Sequence, residues 1–166
     1  MPNPTELLPR TGIAAITFTR NGVSQRRIYT QDLNGGIRET RFDGQSWSGG
    51  TSDDIIVKAK PGTAIAALHL NYKDAVSSII SRYTYLTQHC DPLKIHVFYL
   101  TNENIIQEIR QDKGGEWFDT NFNENAFKAS PVSRLAIIGY TWYIHNMSLY
   151  YQQVDGGMAY AFSVKC

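Results

Sequence analysis

Residues 27–47 read RIYTQDLNGGIRETRFDGQSW, and the way this stretch returns along the chain decides the fold. Setting Arg27 on His96 lays Ile28-Tyr29 over Val97-Phe98, Ile37 over Ile106, Glu39 over Glu108, Arg41 over Arg110 and Asp43 over Asp112, without a gap. Trp47 and Trp117 then fall within one residue of register. A third copy starts at Ser148, where Leu149-Tyr150-Tyr151-Gln152 answers Ile28-Tyr29-Thr30-Gln31 and Gly156-Gly157-Met158 answers Gly35-Gly36-Ile37. In that copy Ser148 stands for the arginine and Tyr160 for the glutamate. Strand-like units repeated at this spacing point to a propeller or another β-array, because one such unit cannot bury its own apolar face.

Outward from the quoted stretch, the pattern of turns gives each unit its strands. Gly12 to Thr19 and Arg26 to Gln31 are apolar or alternating runs separated by Asn21-Gly22, a hairpin signal. Asp32 to Gly36 turns the chain into Ile37 to Phe42, and Asp43-Gly44 turns it again before Trp47. Four short strands joined by turns make one propeller blade. Thr63-Ala64-Ile65-Ala66-Ala67-Leu68 mirrors Thr11-Gly12-Ile13-Ala14-Ala15-Ile16, and Ser133-Arg134-Leu135-Ala136-Ile137-Ile138 does so a third time. These small, apolar first strands suit a crowded central axis. The expected fold is all-β: one propeller domain over 1–166, with blade repeats at about 12–62, 63–131 and 132–166. An insertion at 71–94 interrupts the second repeat, and a decorated hairpin or a helix-plus-strand excursion is expected there, with Asp74 to Ile80 as the candidate helix and Ile80 to Thr87 as the candidate strand. The third repeat stops before any counterpart of Trp47, so residues 3 to 10 or a second chain are expected to supply its outer strand.

Composition narrows the partners. Sixteen basic and fifteen acidic residues give a net charge of +1 and are well mixed along the chain, which leaves no electrostatic footprint for nucleic acid. No apolar run is long enough to insert in a membrane, and Met1-Pro2-Asn3-Pro4 does not open a signal peptide. The expectation is a soluble chain, cytoplasmic or exported by another route. Aromatic residues make up 12% of the chain, a level that suits pleated sheets and surfaces that stack on ligand faces. Cys90 and Cys166 are too sparse for a disulfide scaffold and read as free thiols.

Within a unit, Arg27 and Glu39 lie on adjacent antiparallel strands at a separation that can make them direct neighbours across the pair. A guanidinium and a carboxylate held together suit vicinal sugar hydroxyls: the first donates, the second accepts, and their ion pair fixes both. The same pair read structurally is a cross-strand salt bridge worth under about 1 kcal/mol. Repetition favours the binding reading, because Arg27-Ile28-Tyr29, Ile37-Arg38-Glu39, Asp43-Gly44 and Trp47 resemble, in order and spacing, the blade motif of the fungal fucose-specific lectins of the Aleuria type.

That resemblance implies a bladed lectin that binds fucosylated glycans without catalysis, at sites between blades, with no cofactor and no metal. Carried over by position, the first site would use Arg27 and Glu39 with Trp117, while Ile109 would occupy the place of an aromatic. The second would use His96 and Glu108, where a neutral ring offers one donor in place of several. The third, with Ser148 and Tyr160, would lack the charged clamp, and Trp47 would be the stacking face for whichever blade precedes the first. Two copies of the chain would supply six blades, so a homodimer completing a six-bladed ring is one expectation, and a small oligomer of another closed symmetry is the other. The alternative is a protein-interaction module on a degenerate lectin scaffold. An enzyme is disfavoured: His89-Cys90-Asp91 point to opposite strand faces, Asp53-Asp54 reads as a solvated turn, and His69 and His145 lack metal-ligand spacing.

Overall fold

The computed structural model describes residues 7–71, 93–140 and 146–164. Within them the chain forms three antiparallel sheets, each meandering outward in sequence order. The first sheet holds β1 (Ala14–Arg20), β2 (Val23–Gln31), β3 (Gly36–Phe42) and β4 (Trp47–Gly49), with β5 (Ile55–Lys58) also on β3. The second holds β6 (Ala66–Asn71), β7 (Leu93–Leu100), β8 (Ile106–Asp112) and β9 (Trp117–Asp119). Three strands make the third: β10 (Ala136–Tyr140), β11 (Asn146–Gln152) and β12 (Met158–Val164). The innermost strands β1 and β10 both contact β6, so the sheets fan out from a common axis as blades of a propeller.

Local chemistry sets these boundaries. Asn21 and Gly22 both adopt positive φ (51° and 77°), the two-residue turn whose twist matches a right-handed hairpin. After β2, the Asp32 carboxylate accepts the Asn34 and Gly36 amides at 2.8 Å each, which folds the chain back into β3. The outer strand of blade one is split. β4 pairs with Thr40–Phe42 and β5 with Gly36–Arg38, and between them a 3-10 turn over Ser52–Asp54 is closed by a reciprocal Thr51/Asp54 cap. Asp53-Asp54 is thus part of a capped turn, and the Asp54 carboxyl is held below the usual range chiefly by its hydrogen bond from Thr51.

Side chains of β7 alternate between two cores, as expected of a sheet buried on both faces. Ile95, Val97 and Tyr99 pack with Ala14, Phe18, Tyr29 and Ile37 of blade one. Phe98 and Leu100 pack with Met147, Leu149 and Ala161 of blade three. Blade two is therefore covered on both sides, whereas blades one and three each have one face that no other blade covers among the described residues.

One sequence expectation changes here, and others fall on residues that are not described. Leu7 bridges to Asp32 and the Leu8 amide donates to Gln31 at 2.9 Å, so the described part of the N-terminal segment lies against blade one and does not supply the outer strand of blade three. Residues 3–6, the helix expected over 74–80, most of the 71–94 insertion, His89, Cys90, Asp91, His145 and Cys166 lie outside the described residues.

Candidate functional site

Alternation along β2 and β3 decides which side chains meet. The register sets Arg27 opposite Arg41 and Tyr29 opposite Glu39, so Arg27 and Glu39 are diagonal partners on one face and not the direct neighbours expected from spacing. Their nearest approach is 3.7 Å, from Nε to Oε1. The face they share is the one covered by blade two, and both are almost fully buried.

Both side chains are anchored by further polar partners, and Glu39 Oε2 keeps capacity to accept. Arg27 Nη2 donates to Gln25 Oε1 at 2.9 Å and lies 3.1 Å from Asp43 Oδ1, while Nη1 donates to the Arg26 carbonyl at 2.9 Å. The guanidinium also sits 5.3 Å from the centre of the Phe18 ring, whose far environment includes His69 stacked at 4.2 Å. Glu39 Oε1 accepts the Tyr29 hydroxyl at 3.0 Å, and Oε2 lies 3.8 Å from Arg41 Nε. Burial pushes the Glu39 carboxyl above its ordinary pKa, against the pull of Arg27, the Tyr29 hydroxyl and Arg41. Burial likewise drives the Tyr29 phenol well up, helped by the neighbouring carboxylate, so it remains a donor across the neutral range.

A cleft of about 430 Å³ opens along this face. Its blade-one wall carries Gln25, Arg27, Glu39 and Arg41, its hairpin end carries Arg20, and Gln111 and Gly114 close it from blade two. Gln25 and Arg41 escaped the sequence reading, although each lies two residues from a proposed group on the same strand and so on the same face.

Trp117 pairs in register with Gln111 and presents itself edge-on to Tyr29, with ring centres 6.0 Å apart at 88°. It flanks the pair through Tyr29 and is not among the residues lining the cleft. Ile109 is buried in the core between blades one and two. Trp47 stands on the opposite face of blade one, tilted against Phe42 at 5.2 Å, and so takes no part in this cleft.

The two other repeats place their counterparts differently. His96 Nδ1 and Glu108 Oε1 are in direct contact on the face of β7 and β8 that looks toward blade three, both buried, and Thr120 donates to the second carboxylate oxygen at 2.5 Å. Ser148 and Tyr160 share the open face of blade three, with Tyr160 mostly exposed and tilted against Tyr150.

A polar clamp recessed between consecutive blades, repeated with variation around an axis, is the architecture of the β-propeller lectins. The chain belongs to the fungal fucose-specific lectin family, whose profile matches residues 7–91 and 75–163. The fucose-specific lectin of Arthroderma benhamiae is 38% identical over 133 residues, covering 80% of this chain and 33% of the relative. That of Aleuria aurantia is 32% identical over 157 residues, covering 92% and 44%. The crystal structure of the Aleuria lectin, a six-bladed β-propeller, superposes with a TM-score of 0.76 at 27% identity over 98% of this chain and 50% of its own. A fucose lectin from Kordia zhangzhouensis shares the fold at 15% identity, TM-score 0.63, and is matched over 94% of its length. The chain thus spans half or less of the fungal relatives it matches.

Proposed function

We propose that the chain binds fucosylated glycans in the cleft between its first two blades and leaves them chemically unchanged. The observation that carries this reading is the buried Arg27/Glu39 pair lining a cleft, in a chain whose family is defined by fucose-specific lectins. A buried ion pair is weak support for stability, since desolvation offsets most of its attraction. Kept open to a cleft and fixed by Gln25, Asp43 and Tyr29, it makes sense as a preorganised set of sugar partners. Glu39 accepts from ligand hydroxyls and Arg27 donates to ring and hydroxyl oxygens, while Tyr29, packed against Trp117 behind the cleft, holds the Glu39 carboxylate in place.

Of the three repeats, the first is the working site in this reading. At the second position His96 and Glu108 satisfy each other and Thr120, which leaves the carboxylate little capacity for a ligand. The third has no charge to offer. The partner that fits the two open blade faces is a second copy of the chain, adding three further blades.

Titration calorimetry with methyl fucoside tests the site. Arg27→Ala and Glu39→Gln should each weaken binding at least about tenfold, the loss of charged hydrogen bonds worth about 1.5–3 kcal/mol. Undiminished affinity in both variants would place the site elsewhere.

A further inference from the structure

We propose that this cleft prefers an anionic form of its glycan, in which the sugar attached to the fucose carries a carboxylate or a sulfate ester that Arg20 binds. The proposal rests on the fucose reading above. Three arginines line the cleft, Arg20, Arg27 and Arg41, and two of them are matched by acids. Arg27 lies against Glu39 and Asp43, and Arg41 lies against Glu39 and against Asp54 at 3.2 Å. Arg20 differs: its contact is a single hydrogen bond from Nη2 to the Lys113 carbonyl at 3.2 Å, and among the described residues no carboxylate is paired with it. Arg20 is itself an exposed residue in the cleft lining, and one hydrogen bond leaves most of the donors of its guanidinium uncommitted.

That one bond also aims the head. Lys113 and Gly114 both adopt positive φ (55° and 75°), forming the tight turn between β8 and β9 that presents the carbonyl. A Cβ at position 114 would stand 3.0 Å from Arg20 Nη1, so the guanidinium lies directly on the turn and spans the end of the cleft from blade one to blade two. The register places Arg20 opposite Val23, four residues along β2 from Arg27, or about 13 Å at the usual strand rise. A fucose seated at Arg27 and Glu39 therefore leaves the Arg20 end to the sugar that bears it. The cleft volume of about 430 Å³ falls in the range of roughly 300–1,000 Å³ that holds ligands larger than one deoxyhexose. A planar fork with unmatched charge is suited to bidentate recognition of an oxyanion.

The test compares methyl fucoside, a neutral fucosyl disaccharide, and the same disaccharide with its second sugar either oxidised to a uronic acid or sulfated. The unmodified protein should bind at least one anionic form about three- to tenfold more tightly than the neutral disaccharide at low salt. This advantage should shrink as ionic strength rises to about 0.5 M, and the form that gains more identifies the source of the oxyanion. Arg20→Gln should remove the advantage while methyl fucoside, which reaches only the clamp, binds as before. Equal affinity for neutral and anionic disaccharides, or an advantage that survives Arg20→Gln, overturns the proposal while leaving the fucose site standing. Failure of the unmodified protein to bind methyl fucoside overturns the fucose reading itself.

Discussion

At Glu39 the demands of stability and of binding pull in opposite directions. Burial raises its carboxyl pKa above the ordinary 4.5, so between that value and the raised one the folded chain holds a proton that the unfolded chain has released. The stability this proton contributes is present below about pH 4.5 and is lost as pH rises through the folded value. Sugar binding has the reverse sign, because the ionised form accepts from ligand hydroxyls. Fucoside affinity should therefore fall on acidification with a midpoint above pH 4.5, which calorimetry across a pH series would show. Tyr29→Phe removes the 3.0 Å hydroxyl donor that favours the ionised carboxylate and should move that midpoint upward. An unmoved midpoint would separate Tyr29 from the clamp. Glu39→Gln should melt no lower than the unmodified protein at pH 7 while losing affinity, since the environment already disfavours the charge. The residues of this pair were legible because the motif repeats; their diagonal placement was not, because spacing alone does not fix which residues of β2 and β3 stand opposite.

Among the elements, the inner strands pack most tightly at the start of a blade, at Gly12. The first strands were recognised by their small apolar residues, and the structure supplies the reason at Gly12, where a Cβ would lie 2.6 Å from the Ile65 amide and 2.8 Å from the Thr63 carbonyl. Both neighbours are backbone, so Gly12→Ala should force the inner strands apart and cost about 1–3 kcal/mol in urea denaturation. Thr63 and Ser133, matched in the repeat as mere hydroxyl residues, accept the amides of Leu100 and Gln152 at 2.8 and 2.9 Å, locking each blade's second strand to the segment that enters its first. Thr63→Val keeps the shape but leaves the buried Leu100 amide unmatched, for an expected loss of about 1–3 kcal/mol by the same measurement. The split outer strand was not legible. β5 of blade one is reduced in blade two to a single bridge between Ile105 and Lys128, and four residues of Ile55–Lys58 carry no periodicity that distinguishes a strand from a linker.

For the whole molecule, the open faces set the expectation. Blade three presents Ile138, Met158 and Tyr160 at 40%, 69% and 57% exposure on the face away from its core, and blade one presents Ile13 at 68%. These are the same two kinds of face that meet between blades one and two and again between two and three. Three blades of a six-bladed ring such as that of the Aleuria lectin turn through half a circle, so a second copy repeating that contact would close a ring of this kind. Sedimentation equilibrium should give twice the chain mass of 18.8 kDa, and Ile138→Asp should return it to the single chain; a strict monomer at high concentration would remove the closure. The sequence by itself determined the blades and the residue types at their polar positions, because period-two alternation and turn chemistry act over a few neighbouring residues and survive in all three copies. Only the tertiary structure decided which of those positions form a cleft. That choice depends on the pairing register and on the face each neighbouring blade covers: it buries Ile109, turns Trp47 away, shuts His96 against Glu108, and sets Arg27 and Glu39 in one cleft with Arg20, which no carboxylate matches among the described residues.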